Sequence, residues 1–201
     1  MQRRIATNEQ NRTSERNPVR PGQFHPDQTW DGKSYRFGYE HCDCHEGYFV
    51  AKKLNEFGYD VAILLYHVSA GKQTRELAIA DAKAALALLQ RRGGEFGLST
   101  RKIGVMGFSA GGHLAARLTH ATAAGTPPDF VVLMYPAYLE QGGKVLDDVA
   151  PVKTPAFVYV AGDDKLAPSA IAYARACREA NTNSIPRQPP SDRVKVKRGS
   201  P

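Results

Sequence analysis

The chain has 201 residues, 42% of them hydrophobic, which is enough to build the core of one domain. Its formal net charge of +7 sits at the ends: residues 1–30 hold five Arg against three acids, and residues 181–201 hold five Lys or Arg against one Asp. Basic ends without a recognition motif exclude a specific nucleic-acid partner, and no apolar run approaches membrane-spanning length, so no membrane partner is expected.

Residues 1–34 are rich in Arg, Asn, Gln, Pro and Gly with few aliphatics, too little apolar surface to offset ordering entropy, so a disordered basic segment is expected there. Met1 to Asn8 carries charge but no apolar stretch of signal-peptide type, and the default expectation is a cytoplasmic protein. Tyr48, Phe49, Val50, Leu54 and Phe57 then recur at helical spacing, with Gly58 as a stop. Residues 59–66 are a continuous apolar run of strand length. Residues 74–92 are Ala- and Leu-rich with a helical period, closed by Arg91-Arg92 and Gly93-Gly94.

The alternation continues with a strand at Lys102–Phe108, a helix from Ala110 to about Thr122, and strands at Phe130–Tyr135 and Ala156–Ala161. A last helix covers residues 169–180, with Pro168 where its first turn begins. Strands apolar on both faces and alternating with helices predict a parallel sheet covered on both sides, an α/β three-layer sandwich. Beyond Ala180 the chain carries four Pro and five basic residues, and only a Val-Lys-Val alternation resembles structure, so residues 181–201 are expected to be a second disordered basic tail. The folded domain is therefore placed at residues 35–180.

The chemistry concentrates in Gly107-Phe108-Ser109-Ala110-Gly111, a Gly-x-Ser-x-Gly between a strand and a helix. A nucleophilic hydroxyl must project above the sheet from a sharp turn, and Gly107 and Gly111 remove β-carbons that would collide across it. Ser109 is the expected nucleophile. The N–H of Ala110, at the start of a helix, is the expected first donor to an oxyanion. An acid is required at the C-terminal end of a later strand, where Asp163 and Asp164 follow Ala156–Ala161. Either acid also suits a helix-capping role before Pro168.

Residues 45–180 resemble the α/β-hydrolase esterases of the acetyl-xylan esterase and feruloyl esterase-like group, related to dienelactone hydrolases. His45-Glu46-Gly47-Tyr48, Asp81-Ala82-Lys83-Ala84-Ala85, the segment from Arg101 to Leu114, and Asp164 four residues before Pro168 carry the resemblance. It implies the α/β-hydrolase fold, and it implies Asp164 rather than Asp163 as the acid of a Ser-His-Asp triad. Acetyl or similar esters of carbohydrates are the implied substrates, with no cofactor. Two pieces of the family pattern are missing from the sequence. A Pro-Gly-Gly-Gly-Tyr oxyanion loop should precede His45, where Asp31-Gly32-Lys33-Ser34-Tyr35-Arg36-Phe37-Gly38-Tyr39 stands instead, and no histidine follows His120 to supply the base.

The histidines that remain are read as structural. His113 lies one helical turn past Ser109 and belongs to the family pattern in addition to the base; His120 and His67 read as polar edge residues, and His25 falls in the N-terminal segment. His41-Cys42-Asp43-Cys44-His45 has the look of a metal cluster, but zinc sites take two separated ligand pairs and the remaining cysteine, Cys177, is isolated, so no metal is expected. Two readings follow. One is a serine-dependent carboxylic-ester hydrolase; the other is a catalytically impaired or non-catalytic scaffold, the product of truncation or of a shifted frame beyond Ala180. On the residues as they stand, p-nitrophenyl acetate turnover is expected to exceed that of Ser109→Ala only slightly.

Overall fold

A computed structural model of the chain describes Tyr39 and residues 45–68, 73–182 and 194–197. The calls for residues 1–34, for the cluster from His41 to Cys44 and for most of 181–201 lie outside them. A single π-turn at His45–Phe49 runs into α1 (Val50–Glu56), which ends where Gly58 takes φ +84°, the left-handed stop that its lack of a Cβ permits. α2 (Thr74–Arg92) closes in a short 3-10 turn at Gly93–Phe96. β1 (Gly104–Phe108), α3 (Ala110–Ala121) and β2 (Phe130–Met134) follow as read from the apolar pattern.

A two-stranded hairpin then appears, β3 (Glu140–Gln141) and β4 (Lys144–Val145), joined by Gly142-Gly143 at φ +61° and +81°. Two consecutive left-handed residues are what a two-residue type I′ turn needs, and a Gly-Gly pair supplies them without strain. β5 (Ala156–Ala161) and α4 (Ala167–Thr182) complete the alternating part, and β6 (Val194–Lys197) is the last strand.

The main sheet is parallel, in the order β1-β2-β5-β6. Register aligns Phe108 with Met134 and Met134 with Tyr159, so the strand ends share one edge. Residues of one parity, Val131, Leu133, Ala156, Val158 and Val160, are buried against α3 and α4 around Leu139, Ala170, Tyr173 and Cys177. A second cluster joins α2 (Ala78, Ile79, Ala82, Leu86) to the other side of α3 (Ala110, Leu114, Leu118). The opposite sheet face is less covered: Met106 is 37% exposed and Phe130 39%. This is the α/β-hydrolase architecture, with its first helical layer filled by the described residues.

Two expectations are corrected. Residues 59–66 form no strand: they run irregularly, with Tyr59 and Leu65 exposed and Leu64 and Tyr66 packed on the second cluster beside Ile103 and Val105. An apolar run becomes a strand only when a neighbour supplies ladder hydrogen bonds, and none of the described residues pairs with it. Conversely, Val194–Lys197, placed in a disordered tail, pairs in parallel with Val158–Ala161 at the sheet edge. It follows β5 at the end of the strand order β1-β2-β5-β6.

Candidate active site

The turn after β1 holds Ser109 at φ 48°, ψ −115°. For a residue with a Cβ this is a sparsely populated conformation, with a cost on the order of 1–3 kcal/mol that the surroundings must over-determine. They do so with three backbone bonds: Ser109 N–H donates to Met134 O (3.0 Å), and Ser109 O accepts from His113 N–H (3.2 Å) and Ala137 N–H (3.0 Å).

Glycine makes the turn possible at two places. A Cβ on Gly107 would lie 2.0 Å from Gly111 O, and one on Gly112 would lie 2.9 Å from Pro136 Cβ. Gly111 differs from expectation: its added Cβ would meet nothing nearer than Tyr66 Oη at 3.9 Å. Its backbone is what Gly107 must clear, so the second glycine demanded by close packing is Gly112. Ala110 opens α3, and its N–H is one of the four leading donors that no intrahelical carbonyl can satisfy, aimed from the positive end of the helix.

Asp164 follows β5 on the same edge, two strand positions from β1, a separation of about 10 Å between strand axes. The structure thus brings Ser109, Ala110 and Asp164 to one side of the sheet. Asp164 is half-buried whereas Asp163 is exposed. Its Oδ1 accepts the Leu166 N–H (2.8 Å) and its carbonyl accepts the Ala167 N–H (2.9 Å), so it also shapes the turn that starts α4.

His113 is 1% exposed, and its Nδ1 lies 2.6 Å from Tyr39 Oη. Burial pushes the imidazole down to about 4, with the Arg75 guanidinium adding to the effect, so the ring is neutral at pH 7. Burial also raises the Tyr39 phenol, so two uncharged groups share this hydrogen bond. The rings of Tyr39 and Tyr138 stand edge-on to His113 at 5.8 and 6.0 Å, with Arg75 against both tyrosines. This ring is committed to structure. His120 Nδ1 bonds Ala150 O (2.9 Å), also away from the turn. Among the described residues no imidazole is hydrogen-bonded to Ser109 or Asp164, and no group of three His, Cys, Asp or Glu could hold a metal.

Two participants escaped the sequence reading. Tyr39 lay in a segment noted only for what it lacked, and its partner is 74 residues away. Tyr135 directly follows β2, next in register to Ser109, with φ 36°, its hydroxyl donating to Glu46 Oε1 (2.8 Å) across 89 residues. The only local signal for either was the Tyr-Pro pair at 135–136, a turn marker.

Residues 34–127 match the family model BD-FAE. A curated acetylxylan esterase of Xylanibacter ruminicola is 28% identical over 92 residues, 46% of this chain and 19% of that protein. Among solved structures, the α/β hydrolase MGS-M1 from a Medee basin deep-sea metagenome library is 30% identical, with a TM-score of 0.61 over 81% of this chain and 64% of its own. The chain has the α/β-hydrolase fold and resembles the acetylxylan esterases. An acetyl ester-xyloside bifunctional hydrolase of Caldicellulosiruptor lactoaceticus shares the fold at 24% identity and TM-score 0.65, covering 81% of this chain and 70% of that one. The chain spans under a fifth of the curated relative's length and under two thirds of MGS-M1.

Proposed function

We propose that the edge carrying Ser109 and Asp164 is built for serine-dependent hydrolysis of carboxylic esters, with acetyl or similar esters of carbohydrates as substrates. The observation that carries this reading is the left-handed backbone of Ser109 at the head of α3. A strained, glycine-dependent turn held by three hydrogen bonds is an expense without purpose for a capping serine, and it is what lifts a nucleophile above a sheet. Ser109 Oγ attacks the ester carbonyl carbon, and its proton passes to an imidazole oriented by Asp164. The carbonyl oxygen gathers negative charge against Ala110 N–H. The C–O bond to the alcohol breaks, the imidazolium protonates the leaving alkoxide, and water attacks the acyl-serine in the same way to release the acid. Acyl transfer of this kind uses neither metal nor redox group. The similarity to an acetylxylan esterase supports the carbohydrate ester.

A second reading, a hydrolase scaffold without turnover, is favoured by the commitment of His113 to Tyr39. One assay separates the two: hydrolysis of p-nitrophenyl acetate by the purified chain and by Ser109→Ala. Turnover on the order of 10³-fold above the Ser109→Ala protein supports the hydrolase reading. Parity of the two, the outcome expected if only the described imidazoles are at work, overturns it in favour of the scaffold. If Ser109-dependent turnover survives His113→Ala, the proton acceptor is a histidine other than His113.

A further inference from the structure

We infer that Glu46, bonded to Tyr135, the residue next in register to the nucleophile, forms a polar subsite for the hydroxyl groups of a polyhydroxylated alcohol, the sugar half of a carbohydrate ester. The inference deepens the ester-hydrolase reading and rests on it for the position of the ester carbonyl. Tyr135 is the next residue along β2 after Met134, whose carbonyl accepts the Ser109 N–H, so Tyr135 and Ser109 occupy adjacent places on the same edge. Both depart from the ordinary backbone regions, at φ 36° and 48°. For a side chain as bulky as tyrosine, positive φ is a genuine outlier, and such outliers gather where function over-determines the chain. The turn it makes brings Pro136 against Gly112 and Ala137 N–H onto Ser109 O, while its ring tilts against Phe108 at 5.9 Å.

From there the Tyr135 hydroxyl reaches Glu46 Oε1 at 2.8 Å. Glu46 is half-buried at the start of the chain's first turn, next to Gly47, whose missing side chain lets that turn lie close to Ile63. Among the described residues it forms no ion pair with Lys or Arg. A carboxylate only accepts hydrogen bonds and offers about four lone-pair positions, of which one phenol fills a single one. Its remaining lone pairs can accept from further hydroxyl donors. Sugar hydroxyls are such donors, set close together on a rigid ring. Simple alkyl and aryl alcohols bring none, so the pair discriminates by the alcohol half of the ester and not by the acyl half.

The test measures binding apart from turnover. Ser109→Ala protein is titrated calorimetrically with mono-O-acetyl xylobiose and with its fully O-methylated analogue, which has the same ring but no hydroxyl donors. Adding Glu46→Gln, which keeps an acceptor for Tyr135, is expected to weaken the hydroxylated probe about tenfold, as for the loss of charge-assisted hydrogen bonds, and to leave the methylated one unaffected. Glu46→Ala should weaken the hydroxylated probe further. Equal affinity in all three proteins at unchanged melting temperature overturns the inference, as does equal loss for both probes or no saturable binding to Ser109→Ala. Failure of the hydrolase reading looks different: p-nitrophenyl acetate turnover indifferent to Ser109→Ala, with Glu46-dependent binding of the hydroxylated sugar intact.

Discussion

The two turns that bring the candidate site together are built on opposite plans. The Ser109 turn is strained, needs glycine at 107 and 112, and is held by backbone bonds from β2, α3 and the segment after Tyr135. The Asp164 turn has no left-handed residue among those described, sits between exposed Asp163 and Lys165, and is closed by the aspartate's own bond to Leu166 N–H. The first admits few other uses, because nothing short of tertiary packing would hold it. The second is an arrangement that many helix starts adopt, and its carboxylate shares an edge with Ser109 only because the parallel sheet sets β5 beside β2 and β2 beside β1.

The comparison can be broken most sharply at the glycines. Gly107→Ala forces a Cβ into the Gly111 carbonyl, which cannot yield without dismantling the turn, so a loss above about 4 kcal/mol or failure to fold is expected. Gly111→Ala meets only ordinary contact and gains helix propensity, so its stability should stay within about 1 kcal/mol of the parent in urea melts. If Gly111→Ala proves the more damaging, the assignment of close packing to Gly107 and Gly112 is wrong.

A next effect in size is pH dependence on the nucleophile side. The folded protein holds His113 down at about 4, below its ordinary value of 6.5, so the unfolded chain binds more protons between those values. That contribution is complete above pH 6.5 and is lost as pH falls toward 4, by on the order of 3 kcal/mol across the window. Urea titrations of the parent and His113→Gln, compared from pH 7 to 4, should show the parent's excess slope vanish in the variant. The acid turn should respond least: Asp164→Ala removes the acceptor of Leu166 N–H and costs about 1 kcal/mol, while Asp164→Asn keeps an acceptor and stays close to the parent. A loss at Asp164 as large as that at Gly107 would erase the contrast between the turns.

Much of the fold was legible because its signals are local. The apolar runs of β1, β2 and β5, the Arg-Arg-Gly-Gly end of α2, and Gly58 each act within a few residues. The Gly142-Gly143 hairpin was legible in principle and went unread, since its strands are two residues long and show no period. Tyr39 was obscured differently. Its hydrogen-bond partner His113 lies 74 residues away, so no local period marks it.

Sequence by itself located the serine turn, because a strand, a Gly-x-Ser-x-Gly and a helix start fall within nine residues of one another, whereas the need for glycine at 112 came from Pro136 across the fold. It determined the order of strands and helices for the same reason, period and caps being properties of short windows. Tertiary structure alone decided which runs became strands: residues 59–66 had the composition but no ladder partner among the described residues, and Val194–Lys197 had a partner in β5 with only a short Val-Lys alternation. It alone decided that His113 answers to Tyr39 and Glu46 to Tyr135, since hydrogen bonds across 74 and 89 residues leave no period to read. Such pairs exist only once burial has removed water as the competing partner, and burial is a property of the assembled sheet and helices.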